Sequence, residues 1–277
     1  MVGPNGAGKT TTIECIEGLR APDKGKVHVL GLDPQRDGYQ LRERIGVQLQ
    51  ESDLPDRIQV WEALDMFASF YAQSVDWRPL LEQLGLVDKS KTPFTKLSGG
   101  QKQRLFIALA LVNDPELVFL DELSTGLDPK ARRAMWDLVR GIREQGKTVF
   151  LTTHFMEEAE RLCDRVAIMD QGKIVALDTP ENLIQSLGSE NRVVFSVTEP
   201  FDEIGLQALS VVTRVEKVGE RIIVFGQRNG LVSGVVNVLE ADNIQFRDLR
   251  TEQPSLEDVF LALTGRDMQT SEGGNHA

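Results

Sequence analysis

Near the start of the chain, Gly3-Pro4-Asn5-Gly6-Ala7-Gly8-Lys9-Thr10 meets every fixed position of the pattern G-x-x-x-x-G-K-[ST]. That spacing suits a phosphate chain. Glycines let the backbone come close and turn successive N–H groups inward as an anion nest. Lys9 is placed to reach the β- and γ-phosphates, and the Thr10 hydroxyl to ligate Mg²⁺. A second chemical cluster is Leu117-Val118-Phe119-Leu120-Asp121-Glu122, an apolar run that ends in two acids. Carboxylates at a buried strand end are costly unless they hold a metal or a water. Asp121 then suits Mg²⁺, and Glu122 suits orienting or deprotonating a water in phosphoryl transfer.

Three further positions admit two readings each. Ser98-Gly99-Gly100-Gln101 heads an apolar helix. Ser98 is a natural N-cap, and Gln101 stands at capping-box spacing. The same hydroxyl and unhindered N–H groups could form a second anion site at a helix N-terminus. His154 follows a β-branched run. A lone histidine is usually structural, but at the carboxyl end of a parallel strand its functional weight rises. Gln50 ends the run Ile45 to Leu49, where its amide could ligate a metal, position a water, or serve as an ordinary loop residue.

These side chains need elements to carry them. Thr10 to Glu17 reads as a helix ended by Gly18, with its positive N-terminus on the phosphates. Lys26 to Leu30 and Ile45 to Leu49 read as strands, and Leu41 to Arg44 as the close of a short helix between them. Val60 to Tyr71 is helical, with Trp61, Leu64, Phe67 and Phe70 or Tyr71 as a buried face. Pro79 to Leu84 and Leu105 to Val112 are helices. Asp128-Pro129 starts a helix that runs to about Gln145. Lys147 to Thr152, Arg165 to Met169 and Lys173 to Leu177 are strands, with a helix from Phe155 to Leu162 among them. This alternation is the α/β signature with a mostly parallel sheet. Only Met1-Val2 precede the glycine loop, where a strand of about five or six residues would be usual. Either the chain starts late, or the sheet is expected to lack most of one central strand.

The alternation stops near Ser189. Beyond it lie strands at Arg192 to Val197, Val211 to Val218, Arg221 to Phe225 and Ile244 to Leu249, with helices at Leu231 to Glu240 and Ser255 to Leu263. The division expected is a first domain over residues 1–189, a small α+β domain over 190–265, and a polar, disordered tail over 266–277. A formal net charge of −11 over 277 residues argues against a nucleic-acid binder that relies on bulk positive charge. No apolar run reaches the roughly 18 residues needed to cross a bilayer. If the protein works at a membrane, another chain supplies the spans. Cys15 and Cys163 lack metal-ligand spacing and read as reduced thiols of a cytosolic core.

Taken together, the motifs resemble the ATP-binding subunit of an ABC transporter. The Walker A loop is Gly3 to Thr11, the Q-loop glutamine matches Gln50, and the signature LSGGQ is Leu97 to Gln101. Walker B is Leu117 to Glu122, the D-loop is Thr125 to Asp128, and the switch histidine is His154. The part after Ser189 looks like the tail domain of daunorubicin-resistance-type drug exporter ATPases. The resemblance implies a P-loop NTPase fold: a RecA-like sheet core plus a helical subdomain over about 53–113. It implies a homodimer of cassettes that binds ATP and Mg²⁺. Asn5, Gly6, Ala7, Gly8, Lys9, Thr10 and Thr11 would hold ATP. Ser98, Gly99, Gly100 and Gln101 would bind the γ-phosphate in trans. Thr10, Gln50 and Asp121 would serve Mg²⁺. Glu122 would polarise the attacking water, His154 would contact the γ-phosphate, and Asp128 belongs to the D-loop. Hydrolysis would energise a separate integral-membrane permease for export of drugs or other small or lipophilic compounds. The subunit would sit peripherally on the cytoplasmic face of the membrane, with no nucleic-acid partner expected. The family's upstream strands and adenine-stacking aromatic have no counterpart before Gly3. Two other classes remain open on the sequence: a non-hydrolysing regulatory fragment, and a soluble ABC ATPase acting on nucleic acid or ribosomes.

Overall fold

A computed structural model of the chain describes residues 1–48, 53–187, 190–197, 203–227 and 229–265. It divides into two compact units, the first over residues 1–177 and the second from Asp178 onward.

The first unit carries, in order, α1 (Lys9–Glu17), α2 (Gly38–Arg44), β1 (Ile45–Gln48), α3 (Val60–Ala68), α4 (Arg78–Gln83), α5 (Gly99–Leu111), β2 (Leu117–Asp121), α6 (Pro129–Glu144), β3 (Thr148–Thr152), α7 (Met156–Leu162), β4 (Val166–Asp170) and β5 (Lys173–Asp178). Strands β1, β2 and β3 form a parallel sheet with β2 in the middle. Every residue of β2 is buried. A parallel strand covered on both faces should read as a near-continuous apolar run, and Leu117 to Leu120 does. The register pairs Asp121 with Thr152, so both strands end on a polar residue at the same level. Beside this sheet β4 pairs with β5 across the two-residue turn Gln171-Gly172, whose φ angles of 48° and 77° suit a tight hairpin.

Val2 makes parallel bridges to both Thr153 and Ile168. It occupies the place of a strand between the ends of β3 and β4. The main core lies between the sheet and the helices, with Leu64, Phe94, Leu105 and Ile107 fully buried.

Two expectations give way to the structure. Lys26 to Leu30 is not a strand. Val29 exchanges both of its backbone hydrogen bonds with Leu32 at 2.9 Å, around a turn in which Leu30 and Gly31 have positive φ. The apolar alternation was a loop packing Val29 into a small cluster with Leu41 and Ile45. Helix α3 stops at Ala68; of the expected buried face, Leu64 is buried and Phe67 and Tyr71 pack against the core, whereas Trp61 is 37% and Phe70 64% exposed.

The second unit holds α8 (Pro180–Gln185), β6 (Glu190–Val197), α9 (Ile204–Gln207), β7 (Val212–Val218), β8 (Arg221–Gln227), α10 (Leu231–Ala241), β9 (Phe246–Glu252) and α11 (Leu256–Thr264). Its sheet runs β7-β8-β6-β9, antiparallel throughout. Helices α9 and α10 cover a core built on Val193, Phe195, Ile222 and Val224. Helix α8 packs against α11. The short helix α9 has no counterpart in the sequence reading. The tail over 266–277 lies outside the described residues.

Candidate active site

The glycine loop runs from Val2 to the start of α1. Gly8 stands at the N-cap with φ 99°, a left-handed conformation that disfavours any side chain. Gly3 is constrained by proximity, since a Cβ there would lie 2.3 Å from the Met169 carbonyl oxygen. The loop is closed by Ala7 N–H donating to Pro4 O at 3.1 Å, and by Gly172 N–H donating to Ala7 O at 2.9 Å. No side chain caps α1. The free N–H groups of a helix's first turn, with its dipole, make a ready anion site. Asn5, Gly6, Thr10 and Thr11 are exposed, while Ala7 and Lys9 are buried.

Lys9 folds back onto its own loop. Its Nζ donates to Gly3 O at 2.8 Å and to Pro4 O at 3.2 Å, and lies 3.7 Å from Glu122 Oε1. Burial lowers the pKa of this ammonium, opposed by the charges of Glu122 and Asp121. The site thus holds a buried cation facing two carboxylates.

Glu122 lies just beyond β2 with φ 48°. A glutamate in the left-handed region is strained, and such strain gathers where a side chain must be aimed. Its N–H donates to Thr152 O at 3.1 Å, and Thr125 Oγ1 donates to its Oε2 at 3.4 Å. His154 Nδ1 is 3.7 Å from Oε1. The His154 ring beside it, and then Lys9, hold the Glu122 carboxyl below the usual range despite burial. A carboxylate that stays ionised in a buried place can accept a proton from water or orient it.

Asp121 is buried and accepts a hydrogen bond from the Thr152 hydroxyl. Burial nevertheless pushes its carboxyl above the ordinary value. Sequence reading missed Thr152. The signal was a polar residue closing an apolar strand, but which residue it faces depends on strand register.

The structure thus brings Lys9, Asp121, Glu122 and His154 together at the carboxyl ends of β2 and β3. The other expected positions are occupied locally. Ser98 Oγ accepts from Gln101 N–H at 3.4 Å and Gln101 Oε1 accepts from Ser98 N–H at 3.0 Å, closing a capping box on α5. A Cβ built at Gly99 or Gly100 would meet nothing within 4 Å, so that turn is open on its outer side. Asp128 caps α6, accepting from Lys130 and Ala131 N–H at 2.9 Å each. Gln50 lies outside the described residues.

The oxygen donors fit a hard cation. Among the described residues no group of three or more His, Cys, Asp or Glu could cage a metal ion. Mg²⁺ needs no such cage, because it keeps waters and takes its remaining ligands from phosphates. A carboxylate at Asp121 and a hydroxyl at Thr10 beside an anion nest suit that ion.

A phosphate loop ahead of a helix, on a parallel sheet with an acidic strand end, defines a P-loop nucleotide hydrolase. Comparison with known proteins narrows the class. A family model described as ABC transporter matches residues 1–125. Nod factor export ATP-binding protein I of Paraburkholderia xenovorans (strain LB400) is 39% identical, over 97% of this chain and 88% of that protein. Daunorubicin resistance ATP-binding protein DrrA3 of Streptomyces coeruleorubidus is 35% identical, over 98% of this chain and 88% of that protein. Among solved structures, the ATP-binding cassette MJ0796, a dimer in a post-hydrolysis state with ADP and Pi, is 26% identical. It superposes with a TM-score of 0.57 over 64% of this chain and 83% of that one. The chain belongs to the ABC transporter family, as an ATP-binding and ATP-hydrolysing subunit. No helix among the described residues is long and apolar enough to cross a membrane.

Proposed function

We propose that this chain hydrolyses ATP as one of two identical cassettes on the cytoplasmic face of the membrane, powering a separate permease that exports small lipophilic or drug-like compounds. The observation that carries the reading is the meeting of Lys9 and His154 on Glu122 Oε1, each at 3.7 Å.

The loop from Asn5 to Thr11 holds the phosphates through backbone N–H groups. Lys9 leaves the Gly3 and Pro4 carbonyls and meets the β- and γ-phosphates. Thr10 and Asp121, with Gln50, would hold Mg²⁺, which would supply charge neutralisation at the phosphate oxygens. Glu122, kept ionised, orients the attacking water and takes its proton, and His154 faces the γ-phosphate. Little covalent work is asked of the protein: positioning and electrostatics carry most of phosphoryl transfer. Ser98, Gly99 and Gly100 of one copy complete the site of the other, an assignment supported by the open outer side of that turn. The export direction draws on the relatives, one named for Nod factor export and one for daunorubicin resistance.

The permease docks on the helical region of about 53–113. There the first unit has a groove of about 610 Å³ between α2 and β1 on one side and α3 and α5 on the other.

The test is phosphate release by the purified chain in ATP and Mg²⁺, set beside Glu122→Gln. Glu122→Gln should cut turnover by roughly 10²-fold or more, the scale of a general base. It should also elute as a dimer in ATP. Turnover equal to wild type would remove Glu122 from the mechanism and sink the reading.

A further inference from the structure

Helices α6 and α7 pack against each other in the first unit. Arg132 of α6 sets its guanidinium carbon 4.2 Å from the ring centroid of Phe155, the residue at the N-cap of α7. One turn further along, the Trp136 indole N–H donates to Glu158 Oε1 at 2.9 Å, and both of these side chains are buried. Residues three and four apart share a helix face, so Arg132 with Phe155 and Trp136 with Glu158 form two rungs of one ladder.

The first rung ends on the site. The ring centroids of Phe155 and His154 are 4.1 Å apart, with the planes tilted by 42°. The backbone beneath the two rings is held as well: Phe155 N–H donates to Thr153 Oγ1 at 2.9 Å, and Thr153 is buried. His154 needs such support, because Glu122 does not supply it. Its Nδ1 stands 3.7 Å from Glu122 Oε1, too far for a hydrogen bond that would fix the ring. The last torsion of a histidine is broad and roughly two-fold, so an imidazole without a close neighbour is free to turn. Phe155 is that neighbour, and Arg132 holds Phe155. Arg132 Nε is buried and has no hydrogen-bond partner among the described residues. With that donor unmet, the face of the Phe155 ring is the favourable contact the guanidinium makes there. A cation over an aromatic ring gains most where water is kept away.

We infer that Arg132 is a positioning residue for ATP hydrolysis: its guanidinium holds the Phe155 ring, and the held ring keeps the His154 imidazole aimed at the γ-phosphate. The inference rests on the role given to His154 above and adds what sets the direction of its ring. Arg132 acts through Phe155, so its loss should fall on turnover and spare nucleotide binding.

The test uses the full chain with ATP and Mg²⁺. Arg132→Met keeps an unbranched stem and removes the charge. It should lower kcat roughly 3- to 30-fold, the range that a cation over a ring is worth, and leave KM for ATP within about twofold. Arg132→Lys puts a cation back and should recover most of the loss. Phe155→Leu keeps apolar bulk, removes the ring, and should repeat the loss whatever Arg132→Met does to folding. The ring contact also has a spectroscopic mark. The imidazole C–H resonances of His154, assigned by their absence in His154→Ala, should move in Arg132→Met and in Phe155→Leu and stay near their wild-type places in Arg132→Lys. In a chain that already carries His154→Ala, Arg132→Met should lower kcat no further. Wild-type kcat in Arg132→Met, an equal loss in Arg132→Lys and Arg132→Met, unmoved His154 resonances, or a full further loss in the His154→Ala chain would each overturn the inference. His154→Ala alone separates the failures. Wild-type turnover there removes the role of His154 beneath the inference, whereas a loss there beside full turnover in Arg132→Met removes the Arg132 link alone.

Discussion

Lys9 Nζ and His154 Nδ1 lie at the same distance, 3.7 Å, from one atom, Glu122 Oε1. The three side chains come from three elements: the start of α1, the turn after β2 and the loop after β3. The lysine is satisfied by Glu122 and by two loop carbonyls. A γ-phosphate arriving there would compete for the lysine. Drawing it away would free the carboxylate for water. Substrate binding and base activation would then be one exchange of partners.

If so, Lys9→Ala should cost affinity as well as rate. Hydrogen bonds to charged groups contribute about 1.5–3 kcal/mol, or roughly 10- to 100-fold in the ATP dissociation constant. Fluorescent ATP-analogue titration measures it. Unchanged affinity would show that Lys9 stays on the Gly3 and Pro4 carbonyls with nucleotide bound.

His154→Ala should move the pH profile. The imidazole is the leading influence that holds the Glu122 carboxyl down. Without it the carboxyl rises, so the base is protonated at a higher pH. The acidic limb of turnover against pH should shift upward, along with a fall in maximal rate. A profile that keeps its position while the rate falls would assign His154 to the phosphate alone.

Thr152→Val tests the support of Asp121. The hydroxyl lowers the Asp121 pKa against the rise caused by burial. Its loss should let protons compete better with Mg²⁺. Outer-shell changes typically cost 10- to 100-fold in metal affinity, so half-maximal turnover should need roughly tenfold more Mg²⁺. The unfolding free energy in urea should also fall, by about 1–3 kcal/mol for an unsatisfied buried group.

Glu17→Gln should stabilise the isolated chain, but only above a certain pH. The carboxyl titrates near 7 in the fold against 4.5 unfolded. Its folded value is raised, so the unfolded chain gives up the proton first, and wild-type stability falls as pH climbs from about 4.5 through 7. The groups facing it are Asp121, Glu14 and the groove's Glu43, Asp53 and Arg42. Glutamine has no such penalty. Urea unfolding should show the variant equal to wild type near pH 4.5 and more stable at pH 8, by on the order of 2–3 kcal/mol. A constant difference across pH would mean that Glu17 does not titrate in that window.

Much of the fold could be read from local chemistry. Gly18 ends α1 in the left-handed conformation, Ser98 and Gln101 cap α5 reciprocally, and Asp128-Pro129 opens α6. Each of these depends on residues a few positions apart. The failures share the opposite trait. The alternation around Val29 predicts a strand because it cannot distinguish a pleated ladder from a loop that tucks in one valine. Thr152 went unnoticed because its partner, Asp121, is set by register between strands. That Glu17 is buried against a groove depends on α2, β1 and α5, elements far along the chain. The motifs single out Lys9, Glu122 and His154 one by one, each with its own role. The sharing of one oxygen is not legible in them, because it depends on the left-handed turn at Glu122.

The single residue Val2 also has a mechanical meaning. It donates to Ala167 O at 2.9 Å and accepts from Met169 N–H at 2.8 Å, and the phosphate loop begins at the next residue. Met1 O likewise accepts from Thr153 N–H at 3.2 Å, so the loop is tethered to β4 and to the end of β3 together. Phosphate, gripping the loop from the far side, would add a further fastener, and ordering the loop draws on the free energy of binding. The nucleotide is then part of the protein's framework as well as its fuel.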